Sequence, residues 1–241
     1  RQLVKGDITQ AQTVQQIRNV LEQIQSMPKY EFKDENGNIT SRQLYNWYKF
    51  KNGEWIVWEE KIDEDGVILS SVDNGNLLGM LNAVYGWAIN VGEQSLAEEI
   101  RHLMEEMNLS PFVDKREYIE TSDGKKVRNE NYGLLYNNIT IIFDKKTRRP
   151  DLSIAPIPSS GYYDMLMSEI RIAYRIGIAM GDIPKEAWTK LKVKLSRETD
   201  NPKLEMQSWG GGAMELLFPT TLLREFGTPI GKSILKSFLL M

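Results

Sequence analysis

Glu169 is the acidic residue whose surroundings most favour chemistry. It lies in the apolar segment 165–173, and in a helix its neighbours three and four residues away are all apolar. A carboxylate placed there has to reach water in a cavity, find a partner on another element, or bind a proton. A raised pKa is what a general acid needs at neutral pH. The alternative is a structural ion pair with an arginine such as Arg171 or Arg175.

Glu215 is a second candidate, because it follows a run of glycines at 210–212. Glycines without side chains allow a ligand to approach the backbone closely. An equally good interpretation is that the glycines form a tight turn and that Glu215 lies in the first turn of a helix, where acids are favoured.

Further polar candidates lie at predicted helix starts. Asp73, Asn74 and Asn76 precede or open an apolar helix, and Asp164 opens another. Capping of the first-turn amides is the competing structural explanation for these residues.

Aromatic side chains beside polar ones form the last candidate set: Trp47, Tyr162, Tyr163 and Trp209. Core packing is the default role of such rings. Rings surrounded by Asn, Asp, Gln and Arg, however, are also how proteins hold sugars, since CH groups stack on the ring and hydroxyls bond to the planar polar groups.

Composition excludes several function classes. The chain has 241 residues, 30 Lys plus Arg against 33 Asp plus Glu, no Cys and one His. A net charge of −3 makes nucleic acid a poor partner. No spacing typical of a metal site or a cofactor occurs, so neither is expected. No apolar run is long enough to span a membrane. Cysteine absence fits the cytosol or an oxidising envelope, and an extracellular or envelope location is the one favoured.

The elements that position these residues are predicted to be mostly helical. Helical periodicity predicts an amphipathic helix over 8–27, a helix apolar on nearly every face over 76–91, an amphipathic helix over 94–107 and a second apolar helix over 162–180. A helix that is apolar all round is expected to be buried among other helices. Short strands or ordered loops are predicted over 30–70, with a further strand at 138–143 and a last helix at 228–238.

Three segments, taken in order, resemble the glucoamylase-like domain of cyclic β-1,2-glucan synthases and endo-β-1,2-glucanases. The first comprises 45–48 (YNWY) and 70–77 (SSVDNGNL), which resemble NWYD and VSTVDSGNL. The second is 162–172 (YYDMLMSEIRI), continuing to GDIP at 181–184, and it resembles YYDLLASEARL and GDVP. The third, 208–219 (SWGGGAMELLFP), resembles SWSGSMFEYLMP.

The resemblance implies a mainly α fold, an (α/α)6-barrel-like domain with short strands in long loops. Residues 1–241 would form this single domain, with an N-terminal helix over 1–29 as a lead-in. The C-terminal part of the family domain has no counterpart in this chain. The barrel would therefore be incomplete, unless another chain completes it.

The implied function is hydrolysis or transglycosylation of a β-glucan by carboxylate acid–base catalysis, with an oligo- or polysaccharide as partner. By position in the motifs, Glu169 and Glu215 are the catalytic candidates. The substrate-binding candidates are Trp47, Asp73, Asn74, Asn76, Tyr162, Tyr163, Asp164, Arg171 and Trp209. The alternative hypothesis is a non-catalytic helical domain that binds glycan or assembles with a partner.

Overall fold

The computed structural model describes residues 8–58, 66–144, 146–197, 204–208, 213–225 and 227–238. Within these ranges the α-helices are α1 (Gln10–Ser26), α2 (Ser71–Asn90), α3 (Gln94–Glu106), α4 (Arg171–Met180), α5 (Ala213–Leu222) and α6 (Pro229–Phe238). Two 3₁₀ helices, Ser110–Phe112 and Lys185–Lys190, lie in the connections.

The strands between the helices form small antiparallel sheets. They are β1 (Lys29–Lys33), β2 (Ile39–Leu44), β3 (Tyr48–Lys51), β4 (Glu54–Val57), β5 (Val67–Ser70), β6 (Tyr118–Glu120), β7 (Lys126–Arg128), β8 (Asn138–Ile141), β9 (Ile157–Pro158), β10 (Lys194–Arg197) and β11 (Leu204–Gln207). The pairs β1–β2, β3–β4, β6–β7 and β10–β11 are two-stranded antiparallel sheets, and β5–β8–β9 is a three-stranded sheet.

The prediction of a mainly α, (α/α)6-barrel-like fold is wrong. Helix accounts for 42% and strand for 23% of the structure, and the strands form sheets in their own right. Local turn chemistry explains the hairpins. Between β3 and β4, for example, Asn52 and Gly53 both adopt positive φ, as a tight hairpin turn requires. Several of the connections between helices therefore contain paired strands, which a barrel made only of helices does not have.

The predicted helix over 162–180 is also shorter than expected, because α4 begins at Arg171. The backbone N–H of Tyr163 donates to the carbonyl of Leu135 at 3.0 Å, and that of Leu166 donates to the carbonyl of Lys192 at 2.9 Å. Long-range partners thus take the donors that a helix would have used. Glu169 consequently lies in the turn before α4 instead of in the middle of a helix.

The core is built where α2 packs closely against α4. Gly75 and Gly79 of α2 face this contact, one turn apart. A Cβ at Gly75 would overlap the Cβ of Ala173 and lie 3.1 Å from its Cα, and a Cβ at Gly79 would overlap the Cγ2 of Ile172. The two glycines therefore set the distance between the helices.

The outer face of α2 is open, contrary to the prediction of a helix buried on all sides. Met80 and Ile89 are each 44% exposed. Among the helices of the described ranges, none is long and apolar enough to cross a membrane.

Gly75→Ala is expected to destabilise the fold by about 2 kcal/mol, because the added methyl group meets backbone-fixed atoms of α4 that cannot move aside. Gly86→Ala on the same helix is the matched control, since its Cβ would meet nothing within 4 Å. The control should gain up to about 1 kcal/mol from helix propensity. Chemical denaturation measures both, and equal effects of the two substitutions would contradict the close packing.

Candidate functional site

Three carboxylates from distant parts of the sequence converge at one end of the α2–α4 contact. Asp73 lies in the first turn of α2, Glu169 in the turn before α4, and Glu215 in the first turn of α5. The charges of Asp73 and Glu215 act on the Glu169 carboxyl and on the Tyr163 phenol. The structure therefore brings both predicted catalytic residues together with three of the predicted substrate-binding residues, Asp73, Asn76 and Tyr163.

The surroundings of Glu169 raise the pKa of its carboxyl. Partial burial raises the pKa of its carboxyl above the ordinary value of 4.5, the Asn76 hydrogen bond partly offsets this, and the charges of Asp73 and Glu215 raise the pKa further. The Asn76 Nδ2 donates to the Glu169 Oε2 at 3.3 Å. No lysine or arginine of the described ranges forms an ion pair with Glu169.

The two arginines considered as partners for Glu169 are engaged elsewhere. Arg171 is fully buried and pairs with Glu225, with 3.2 Å between Nη2 and Oε2. Arg175 lies over the ring of Trp188, 5.1 Å from its centroid. The structural ion pair offered as the alternative explanation of Glu169 therefore does not form.

Arg171 connects the segments of the site by donating hydrogen bonds to their backbone carbonyls. Its Nη2 donates to the Leu216 carbonyl at 2.9 Å, and its Nη1 donates to the Ser168 carbonyl at 3.0 Å and the Glu215 carbonyl at 3.4 Å. These bonds join the turn that carries Glu169 to the helix that carries Glu215. The side chain is used within the protein, so the structure gives Arg171 a positioning role in place of the predicted contact with substrate.

The start of α2 presents Asp73 to solvent. The Asp73 backbone N–H donates to the Ser70 Oγ at 3.2 Å, so Ser70 is the cap and the Asp73 carboxylate stays exposed. Asn74, by contrast, is 2% exposed. Its amide accepts from the Leu44 N–H at 2.9 Å and donates to the Leu44 carbonyl at 3.1 Å, which ties α2 to β2. Asn74 is therefore structural, and Asn76 is the amide available at the cluster.

Tyr163 is fixed beside the carboxylates by the buried phenol of Tyr174. The Tyr174 hydroxyl donates to the Tyr163 carbonyl at 3.0 Å and accepts from the Leu135 N–H at 2.9 Å. Burial raises the pKa of the Tyr163 phenol, and the charges of Glu169, Asp73 and Glu215 raise it further. Both effects favour the neutral form of the Tyr163 hydroxyl.

Tyr162 belongs to a buried network that the sequence did not reveal. Its hydroxyl donates to the Asp114 Oδ2 at 2.6 Å, and Arg116 and Asn129 donate to the same carboxylate. Burial raises the pKa of the Asp114 carboxyl, but these donors outweigh it and hold the pKa well below its ordinary value. Tyr162 also stacks on Tyr136, with 5.1 Å between ring centroids. Its hydroxyl is therefore engaged inside the protein.

Asp164 and Trp47 are the remaining predicted residues that the structure describes. Asp164 forms an ion pair with Lys192. Trp47, in the connection between β2 and β3, is 47% exposed. Trp209 lies outside the described residues. Within the part of the chain that the structure describes, no group of His, Cys, Asp and Glu could hold a metal ion.

Comparison with known proteins adds no assignment. Neither the protein-family models nor the curated proteins include a match to this chain.

Glu169→Gln is expected to change how stability depends on pH. Folding raises the pKa of the Glu169 carboxyl above its ordinary value of 4.5, so ionisation is harder in the folded state than in the unfolded one. The free energy of unfolding of the parent therefore falls as the pH rises from 4.5 through the raised pKa. The variant removes this loss. Its free energy of unfolding should therefore exceed that of the parent at neutral pH, and the difference should shrink in acid.

Glu22→Gln, at an exposed position of α1, is the control and should follow the parent at every pH. Urea denaturation across a pH series gives the comparison. The opposite result would be a Glu169→Gln variant that becomes less stable relative to the parent as the pH rises from acid to neutral. That result would show that the folded state favours the ionised carboxylate.

Glu225→Gln is expected to cost about 3 kcal/mol, because it leaves the buried Arg171 guanidinium without its counter-charge. Glu99→Gln breaks the exposed Arg18–Glu99 pair and should cost less than about 1 kcal/mol. Thermal and chemical denaturation compare the two. A loss at position 225 no larger than that of the exposed control would remove Arg171 from the account of how the site is held.

Proposed function

We propose that this chain is a carbohydrate-active domain that hydrolyses or transfers β-glucan chains by carboxylate acid–base catalysis. The observation that carries the proposal is the convergence of Asp73 and Glu215 on Glu169, whose carboxyl has a raised pKa. These three residues come from the three segments that resemble the glucoamylase-like domain, and this agreement supports the assignment of substrate class.

Cleavage of a glycosidic bond needs a proton donor and a second carboxylate. Glu169 is the donor in this proposal, because burial and the charges of Asp73 and Glu215 raise the pKa of its carboxyl, as a general acid requires. It protonates the glycosidic oxygen as the bond to the anomeric carbon breaks. A water molecule then attacks that carbon in hydrolysis, or a sugar hydroxyl in transglycosylation. Asp73 or Glu215 accepts the proton or stabilises the positive charge at the carbon.

Asn76 and Tyr163 supply neutral hydrogen-bonding groups next to the acids. The Asn76 Oδ1 is buried and has no hydrogen-bond partner among the described residues, and its Nδ2 already holds Glu169. A sugar hydroxyl could donate to this oxygen. The amide would then orient both the acid and the sugar, which favours a substrate rich in hydroxyl groups.

Glu169→Gln is expected to lower turnover at least about a thousandfold while leaving glycan binding intact, because a glutamine can occupy the site but cannot donate the proton. Release of reducing sugar from linear β-1,2-glucan measures hydrolysis, the change in its chain lengths measures transfer, and affinity electrophoresis in the same glucan measures binding. Glu22→Gln controls for loss of one exposed carboxylate and should turn over at the parent rate.

Parent-like turnover in Glu169→Gln would remove Glu169 from the mechanism. A parent protein that binds the glucan but neither releases sugar nor changes the chain lengths would support the alternative, a glycan-binding domain that uses the same cluster to hold hydroxyls without cutting.

A further inference from the structure

A concave surface lies along the C-terminal half of α2. It encloses about 930 Å³ between this helix and the segment at the end of α5. The side chains and backbone that define its chemistry are Asn82, Gly86, Trp87 and Asn90 from α2, and Thr221 and Arg224 from the facing segment. None of these residues contributes to the carboxylate cluster.

Two side-chain amides and one guanidinium of this cavity are free to bind a ligand. Asn82 and Asn90 are exposed, and their amides form no hydrogen bond within the described ranges. Arg224 is exposed and forms no ion pair with any described residue. The cavity is lined by no acidic residue among those the structure describes. One cation beside two amides suits a neutral ligand with many hydroxyls better than a multiply charged anion.

Trp87 and Gly86 complete a surface for a ring. The indole of Trp87 is half-buried, so its position is fixed while part of the ring faces the cavity. At Gly86 a Cβ would meet nothing within 4 Å, so the helix surface beside the indole is open. An aromatic ring beside an open backbone and flanked by planar amides is chemically matched to a sugar, whose CH face stacks while its hydroxyls form hydrogen bonds.

The cavity is aligned with the carboxylate cluster along α2. Asn76, Ala83, Trp87 and Asn90 follow one another at intervals of seven, four and three residues, which places them along one face of the helix. The 14 residues from Asn76 to Asn90 correspond to about 21 Å at 1.5 Å per residue. This span exceeds a disaccharide and requires a chain of several sugars.

We infer that the cavity at Trp87 is an extended subsite for a polysaccharide chain whose other part lies at Asp73, Glu169 and Glu215. The inference rests on the proposed function, and it makes the ligand a polymer that runs along α2 rather than a short oligosaccharide.

Gly86→Leu is the sharpest test, because it fills the open surface without removing a side chain from the core and replaces glycine with a better helix former. Trp87→Ala is the second variant, with folding checked by circular dichroism because Trp87 also packs on the core. Ala11→Leu adds the same side chain to an exposed position of α1 and is the control. Affinity electrophoresis in linear β-1,2-glucan gives binding, and reducing-sugar release gives turnover.

We expect Gly86→Leu to weaken polymer binding about tenfold, a difference of about 1.4 kcal/mol, while Ala11→Leu binds like the parent. Equal binding by Gly86→Leu and the control would overturn the subsite, and so would a parent that does not bind the polymer. The proposed function is tested separately. If Glu169→Gln loses turnover and Gly86→Leu does not change binding, the proposed catalysis stands and the subsite is refuted. If the parent has no turnover but binds the polymer, and Gly86→Leu loses that binding, the subsite stands and the proposed catalysis is refuted.

Discussion

The buried guanidinium of Arg171 is the interaction on which the arrangement of the site depends. It is fully shielded from solvent, so its charge has to be met inside the protein by the Glu225 carboxylate and by backbone carbonyls. Those carbonyls belong to the turn before α4 and to α5. One cation thereby fixes the two segments that carry Glu169 and Glu215. The close approach of α2 at Gly75 and Gly79 adds the third segment, with Asp73 and Asn76.

This arrangement divides two glutamates into two roles. Glu225 takes the arginine and is held as a structural partner. Glu169, only two residues before that arginine, receives an amide from Asn76 and the repulsion of two carboxylates. The local environment, rather than the residue type, thus decides which acid is structural and which is suited to donate a proton. Tyr174 holds Tyr163 in place by a hydrogen bond to its carbonyl, and Asp114 holds Tyr162 by accepting from its hydroxyl.

Sequence periodicity predicted several elements at the positions where the structure has them. The helix at Gln10–Ser26, the strand at Asn138–Ile141 and the helix at Pro229–Phe238 each lie within the predicted ranges. Periodicity failed at 162–170, because Tyr163 and Leu166 donate to partners far away in the sequence, which no local pattern encodes. The barrel, which came from the resemblance, is absent because hairpins and a three-stranded sheet occupy the connections.

The same distinction applies to the candidate site, where local features were visible in the sequence and long-range contacts were not. An acid in an apolar segment was visible in the sequence, as was the absence of a local counter-charge for Glu169. The sequence did not show which polar side chains form hydrogen bonds within the fold. Asn74 and Arg171 were predicted to bind substrate, but Asn74 bonds to the backbone of Leu44 and Arg171 pairs with Glu225. The Asp114–Tyr162 contact joins residues 48 positions apart, and neither residue alone indicates it.

The most direct test of the account is the titration of the Glu169 carboxyl followed by carbon NMR, in the parent and in an Asp73→Asn, Glu215→Gln double variant. The account predicts a pKa above 4.5 in the parent that falls when the two neighbouring charges are removed. A parent pKa at or below 4.5, unchanged in the double variant, would contradict it.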